Sequence, residues 1–272
     1  MKKIIYIYIL FLFTNSIKAQ SNYQLVYDYI SHSDSIKKDK LINENVFVIG
    51  NNTDYYYLSE NAFTKDTIQF FEEKKGTHYK DIYTKLLNSP KTNLRVGIKV
   101  SNNNLTVLAN RLMDGYNFTK KIEEPQWEIT NKVDTISSYK VKLATTYYLG
   151  RKWEAWYSED IPISLAPYIF VGLPGTIIKL NDSQDYFKWE LKSIKKVDNF
   201  EIVKLIFNKK LNQSKNLSPI NFKLAFDDFN NNPMKFLEAS GVSVDEERYK
   251  KLENTYHNKK TRYLDINIPK LL

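Results

Sequence analysis

Apolar and polar residues alternate with a period of two along much of this chain, the period of strands with one buried face. Between Tyr23 and Ser31, Tyr23, Leu25, Tyr27 and Tyr29 fall on one side and Gln24, Val26, Asp28 and Ile30 on the other. Residues 46–49 and 54–58 predict two further strands joined across Gly50-Asn51-Asn52. The period then lengthens. Ile68, Phe70 and Phe71 predict a short helix from Thr64 as N-cap to Gly76 as stop. Tyr79, Ile82, Tyr83, Leu86 and Leu87 predict another over 77–88, ended by Pro90.

From Leu94 the strand period returns over 94–101, 105–112, 116–122, 126–130, 139–148, 152–158, 176–181 and 186–194. Turn signals separate these runs: Asn102-Asn103-Asn104, Asp114-Gly115, Glu124-Pro125, Gly150-Arg151 and Asn181-Asp182-Ser183. Beyond Phe200, residues 201–208 read as a continuation of the sheet, and 220–229 and 245–258 as helices. The succession predicts a mainly β (α+β) fold. Its sheet is a curved antiparallel meander or half-barrel with a few covering helices. That layout is compatible with periplasmic lipoprotein carriers, a comparison of fold alone.

The first residues change the picture. Met1-Lys2-Lys3 precedes an unbroken apolar run from Ile4 to Phe13, then a more polar stretch ending in Ala19. This is the layout of a secretory signal peptide over 1–19, with cleavage before Gln20. The run is shorter than the about 20 residues a membrane-spanning helix needs. Residues 20–272, free of repeats and linkers, then read as one β-rich domain with a helical C-terminal region and no transmembrane segment. The protein is expected to be periplasmic, outer-envelope associated or secreted. It has no cysteine, which excludes disulfides and a lipidated N-terminal cysteine. The formal charge of +9 includes three lysines of the leader, and the other lysines are scattered among acidic residues. A nucleic-acid partner is not expected from that pattern.

The densest cluster of aromatics, prolines and glycines runs from Gly150 to Ile178. It contains Gly150-Arg151, Glu154-Ala155-Trp156-Tyr157, Ile161-Pro162-Ile163, Pro167-Tyr168, Phe170 and Gly172-Leu173-Pro174-Gly175. These residues resemble the central motif of the GLPGLI family, secreted Bacteroidetes proteins without an established biochemical activity. Thr176 stands where the family name has leucine, and Ala166 where a glycine usually precedes the proline. On the chain's own terms, Gly150-Arg151 suits a hairpin turn. Trp153, Ala155 and Tyr157 share one strand face, while Lys152, Glu154, Trp156 and Ser158 share the other, with helices expected over both. Leu173 to Thr176 suits a type II turn with positive φ at Gly175. The motif is therefore expected to be mostly structural. The rival reading is a loop presenting Phe170 and Leu173 to a ligand.

Candidate chemistry is sparse. Arg151, Glu154, Glu159 and Asp160 are the one dense ionisable group beside the motif, and a pair of carboxylates there suits acid–base work. His32, His78 and His257 lack metal-ligand spacing, and no Gly-x-Ser-x-Gly occurs. No catalytic residue, metal or cofactor is assigned. The expected function is a binding scaffold for a hydrophobic, peptide or envelope ligand. The alternatives are an envelope hydrolase or isomerase using those carboxylates, and an accessory protein of an outer-membrane transporter.

Overall fold

The computed structural model describes residues 21–32, 41–78, 81, 94–99, 104–111, 114–121, 123–231, 246–247 and 250. The leader over 1–19 and nearly all of the helices expected over 77–88 and 245–258 lie outside the described residues. The first strands are β1 (Tyr23–His32), β2 (Leu41–Gly50), β3 (Asp54–Ser59), β4 (Leu94–Lys99), β5 (Asn104–Arg111) and β6 (Asp114–Lys121). The second series is β7 (Glu128–Ile136), β8 (Tyr139–Tyr148), β9 (Arg151–Ser158), β10 (Thr176–Asp182) and β11 (Phe187–Lys196). The two-residue β12 (Lys215–Asn216) follows. All join one sheet in the order β12-β6-β5-β4-β3-β2-β1-β11-β10-β9-β8-β7. The fold is mainly β, an open antiparallel meander, with β12 pairing in parallel with β6.

The two meanders meet at β1 and β11, so β6 and β7 lie far apart along the sheet although six residues separate them in the chain. Such a link spans at most about 25 Å. Ten strand spacings laid flat would cover about 48 Å. The sheet therefore curls. Contacts across its hollow agree: the Trp189 Nε1 of β11 donates to the Tyr57 hydroxyl of β3 at 3.1 Å, over the two intervening strands. The concave face carries Leu25, Tyr27, Tyr29, Val48, Tyr55, Tyr57, Val96, Val107 and Phe118, all buried.

Three helices occur among the described residues: α1 (Glu60–Lys74), α2 (Phe200–Asn212) and α3 (Pro219–Asn231). α1 begins earlier than expected. Ser59, not Thr64, is its N-cap, accepting from the Ala62 N–H at 3.1 Å, with Glu60 in the first turn. The run over 201–208 is helical, not a further strand. Phe200, Val203, Ile206 and Phe207 bury one helical stripe, which outweighs the strand propensity of Ile202 and Val203. They pack on Phe47, Ile49, Tyr56, Leu58 and Leu108 of the convex face. α3 sets Phe222 on Phe118, ring centroids 4.7 Å apart.

Candidate functional site

The chain between β9 and β10 has no regular structure, yet its middle is buried. Leu165, Ala166, Pro167, Tyr168, Ile169 and Phe170 are all buried, filling the hollow of the curled sheet. Phe170 is the hub. Its ring centroid lies 4.5 Å from Trp153, 5.9 Å from Trp189, 6.0 Å from Tyr148 and 6.5 Å from Trp127. Tyr168 meets Tyr57 edge-on at 5.6 Å and holds a φ of 54°, unusual for a bulky residue. Phe170 and Leu173 are thus buried, and both also stand in the wall of a small cleft beside Gly172.

An irregular buried segment leaves peptide groups without helix or sheet partners, and each needs one. Side chains of the surrounding strands supply them. The Tyr55 hydroxyl donates to the Tyr168 carbonyl at 3.1 Å, and the Tyr27 hydroxyl to the Ile177 carbonyl at 2.8 Å. The Trp127 indole donates to the Val171 carbonyl at 2.8 Å. The Thr176 hydroxyl donates to the Ile163 carbonyl at 3.0 Å, with the Ile161 carbonyl at 3.2 Å. At the position where the family name has leucine, this chain uses a hydroxyl to close its own loop. None of these pins was singled out from sequence; the aromatic alternation marked Tyr27 as inward but not its hydroxyl as a donor.

The glycines act differently from expectation. Gly175 does not have positive φ, so Leu173 to Thr176 is not a type II turn. A Cβ on Gly175 would instead lie 2.1 Å from the Ser158 carbonyl oxygen, because the loop closes tightly on the end of β9. The left-handed residue is Gly172, with φ 97°. The β8–β9 hairpin turns on Leu149 and Gly150, φ 50° and 75°, one residue earlier than expected. Pro162 and Pro174 are exposed, and Ile161 is half-buried.

Along β9, Trp153, Ala155 and Tyr157 face the hollow, while Glu154 and Trp156 lie on the outer face and are half-buried. The three helices among the described residues lie over β2, β3, β5 and β6. Arg151 does not join Glu154, Glu159 or Asp160. Its Nη1 pairs with the Asp182 carboxylate at 2.7 Å, and its guanidinium lies over Tyr186 and Phe187 at 5.2 and 5.1 Å. Asp182 also accepts from the Phe187 N–H at 2.9 Å, tying the β10–β11 turn to the start of β9. Glu159 lies eight residues further on, about 26 Å away along an extended strand.

Glu159 and Asp160 line a separate cleft of about 520 Å³ at the far end of β7, β8 and β9. In register across these strands stand Val133, Lys142 and Tyr157, continuing the inner face beyond the buried segment. Lys140 and Asp134 complete the polar walls. Lys142 Nζ and Glu159 pair at 2.9 Å, and the Tyr157 hydroxyl reaches Glu159 at 3.4 Å. The hydrogen bond between them raises the Lys142 pKa and lowers that of Glu159, so both stay charged. Burial, with Glu159 nearby, pushes the Tyr157 phenol up. A second cleft, about 260 Å³, lies beside Glu124, Gly172 and Pro174. Among the described residues no group of His, Cys, Asp and Glu is arranged to hold a metal ion. No helix among them is long and apolar enough to cross a membrane.

Comparison with protein families gives no match, and comparison with curated proteins gives none. Among solved structures, the chain is similar to PNGF-II in a P21 crystal form, with TM-score 0.50 and 16% identity over 75% of this chain and 32% of that one. The C2 form of PNGF-II aligns with TM-score 0.47 and 16% identity, over 73% of this chain and 31% of that one. This chain thus spans about a third of the length of PNGF-II, and at such identity the likeness concerns the fold.

Proposed function

We propose that this protein is an exported envelope protein of the GLPGLI type, a rigid β-scaffold that takes its ligand on its surface rather than inside the curled sheet. The buried segment carries this reading. Leu165, Tyr168, Ile169 and Phe170 occupy the hollow that a carrier would keep for an acyl chain. Each such side chain contributes about 1.5–3 kcal/mol when buried. Lifting all four out costs about 6–12 kcal/mol, comparable to the about 5–15 kcal/mol that holds a whole domain folded. A ligand is not expected to displace them. The 520 Å³ cleft falls in the usual size range of ligand sites and has mixed polar and apolar walls. Support for export comes from the basic start, the apolar run and the small residue at Ala19.

Native mass spectrometry of protein purified from its own envelope tests the scaffold. The expected result is an apoprotein beginning at Gln20, or a complex with peptide or envelope material that dissociates without unfolding. A lipid released only on unfolding overturns the surface reading. A second reading, an envelope hydrolase, draws on Glu159 and Asp160 sharing one cleft with Lys142 and Tyr157. Turnover lost in Glu159→Gln and Asp160→Asn, with folding intact, would favour it.

A further inference from the structure

We propose that the smaller cleft, between the β6–β7 link and the buried segment, binds a small ammonium ion with a short apolar tail. This rests on the surface-scaffold reading and names a ligand class for it. The cleft is about 260 Å³, just under the about 300–1,000 Å³ of drug-sized ligand sites, so its occupant is small. Leu165, Phe170, Leu173 and Ile177, all buried, form its apolar floor. Water standing on such side chains is displaced favourably by an apolar tail. Sites for small ligands combine a floor of this kind with a few placed polar groups.

The rim sets the charge. Glu124 supplies the one charged side chain in the cleft wall. Among the described residues its carboxylate has no ion-pair partner and accepts no hydrogen bond; the Gln126 amide bonds only to the Glu124 backbone carbonyl, at 3.3 Å. Gly172 keeps that carboxylate accessible. A Cβ there would lie 3.5 Å from Glu124 Oε2 and 3.6 Å from the Trp127 ring, so a longer side chain would cover the acid. The surroundings share the sign. Burial raises the Tyr148 pKa, and the charges that raise it further are those of Glu123 and Glu124. An ammonium at the rim therefore meets an unneutralised carboxylate. A carboxylate ligand would be repelled, and an alcohol would gain no charge pairing.

The test is a nuclear magnetic resonance titration of the purified protein with hexylammonium, hexanol and hexanoate in turn. Hexylammonium should shift the backbone amides of Val171, Gly172 and Leu173 saturably, with a Kd of about millimolar order. Glu124→Gln should weaken it about twofold to fivefold, to the level of hexanol. Glu124→Lys should abolish it and let hexanoate bind instead. Glu124 is exposed, so both variants should keep the circular dichroism of the unaltered protein. Equal binding of hexanoate and hexylammonium by the unaltered protein overturns the proposal. So does the absence of saturable shifts at millimolar hexylammonium, or unchanged binding in Glu124→Lys. If hexylammonium fails while envelope material still co-purifies on the surface, the scaffold reading stands and this inference falls. A lipid released only on unfolding overturns the scaffold reading instead.

Discussion

The two faces of the sheet are covered by different materials, and each material has its own weak point. The convex face of β2, β3 and β5 lies under α1 and α2, whose peptide groups bond internally, so these helices need only an apolar stripe to dock. That economy leaves room for buried charge: Asp66 pairs with Arg95 and, at 3.0 Å, with Lys210 between α1, β4 and α2. The concave face lies mainly under irregular backbone, with α3 setting Phe222 on Phe118 at its β6 end. Its carbonyls depend on tyrosine, tryptophan and threonine donors, and its largest buried side chains are aromatic rings set among aliphatic ones. The helical side adds ion pairs to its apolar stripe, while the looped side relies mainly on neutral hydrogen bonds and rings, with one ion pair, Arg151–Asp182, at its β10–β11 end. Changes of pH should therefore separate them.

The largest expected effect is at the alkaline end. Burial pushes the phenols of Tyr27, Tyr55 and Tyr57 well above their usual value, and that of Tyr148 up to about 12. All four border the hollow; Tyr56, also pushed up to about 12, is under α2. A phenol whose folded pKa is raised adds stability below its unfolded value near 10, and that contribution is lost as pH rises toward the folded value. Above pH 11 the emission of Trp153 and Trp189 should change together with late-appearing tyrosinate absorbance. Acid should act on the other face. Burial raises the Glu73 pKa, but bonds from Lys209 and Gln69 outweigh it and hold the carboxyl below its usual 4.5. That stabilisation is present above the unfolded value and lost as pH falls through the folded one, so helical circular dichroism should decline before tryptophan emission moves. Simultaneous loss of both signals at both ends would break the comparison.

Asp66→Ala probes the convex side directly. It leaves Arg95, 4% exposed, as a buried charge without its main partner. The expected loss is about 3–5 kcal/mol in urea unfolding. Replacing the whole group, Asp66→Leu with Arg95→Met and Lys210→Met, should restore most of it, since apolar replacements for buried ion pairs and triads are often neutral. A loss under about 1 kcal/mol in the single variant would show that apolar contacts alone dock the helices.

On the concave side the corresponding probe is Gly175→Ala. The new methyl would lie 2.1 Å from a backbone oxygen that cannot rotate away, and the loss should be about 1–3 kcal/mol or more. Gly172→Ala meets nothing closer than 3.5 Å but adopts φ 97°, so it should cost about 1–2 kcal/mol through backbone strain. Reversal of that order would return the motif's main constraint to backbone conformation.

Legibility followed the same division. Strands β1, β9 and β11 could be read from alternation because each buries one side more deeply than the other. β2 and β3 are buried on both faces and were legible as short apolar and aromatic runs beside a turn signal. Tyr27 and Trp153 point inward as their period requires. α2 was misread because Ile202 and Val203 suggest a strand in any short window, and the helical stripe emerges only when Phe200 and Phe207 are counted with them. The buried segment was recognisable as constrained, from its prolines, glycines and rings, but not as the filling of the hollow. Period-based reasoning has no term for irregular backbone inside a core. Asp182 passed for a turn residue, and its bond to Arg151 spans 31 positions, which no local pattern reveals. The cleft at Lys142 and Glu159 likewise depends on the register of three strands.

The smallest effect concerns Thr176, where the two kinds of covering are most finely compared. Thr176→Val keeps the shape and the burial but removes the donor to the Ile163 carbonyl. A buried carbonyl left without its partner costs about 1–3 kcal/mol. The loss should fall near the lower end, because the Thr176 N–H still donates to the Ile161 carbonyl at 3.2 Å and holds the loop's entry in place. Thr176→Ser should retain most of the stability, since the hydroxyl survives and only a methyl is lost. Thr176→Leu combines the lost donor with added volume and should fall below valine. If leucine instead matches threonine in thermal unfolding, the hydroxyl is incidental and apolar filling alone holds the segment in the hollow.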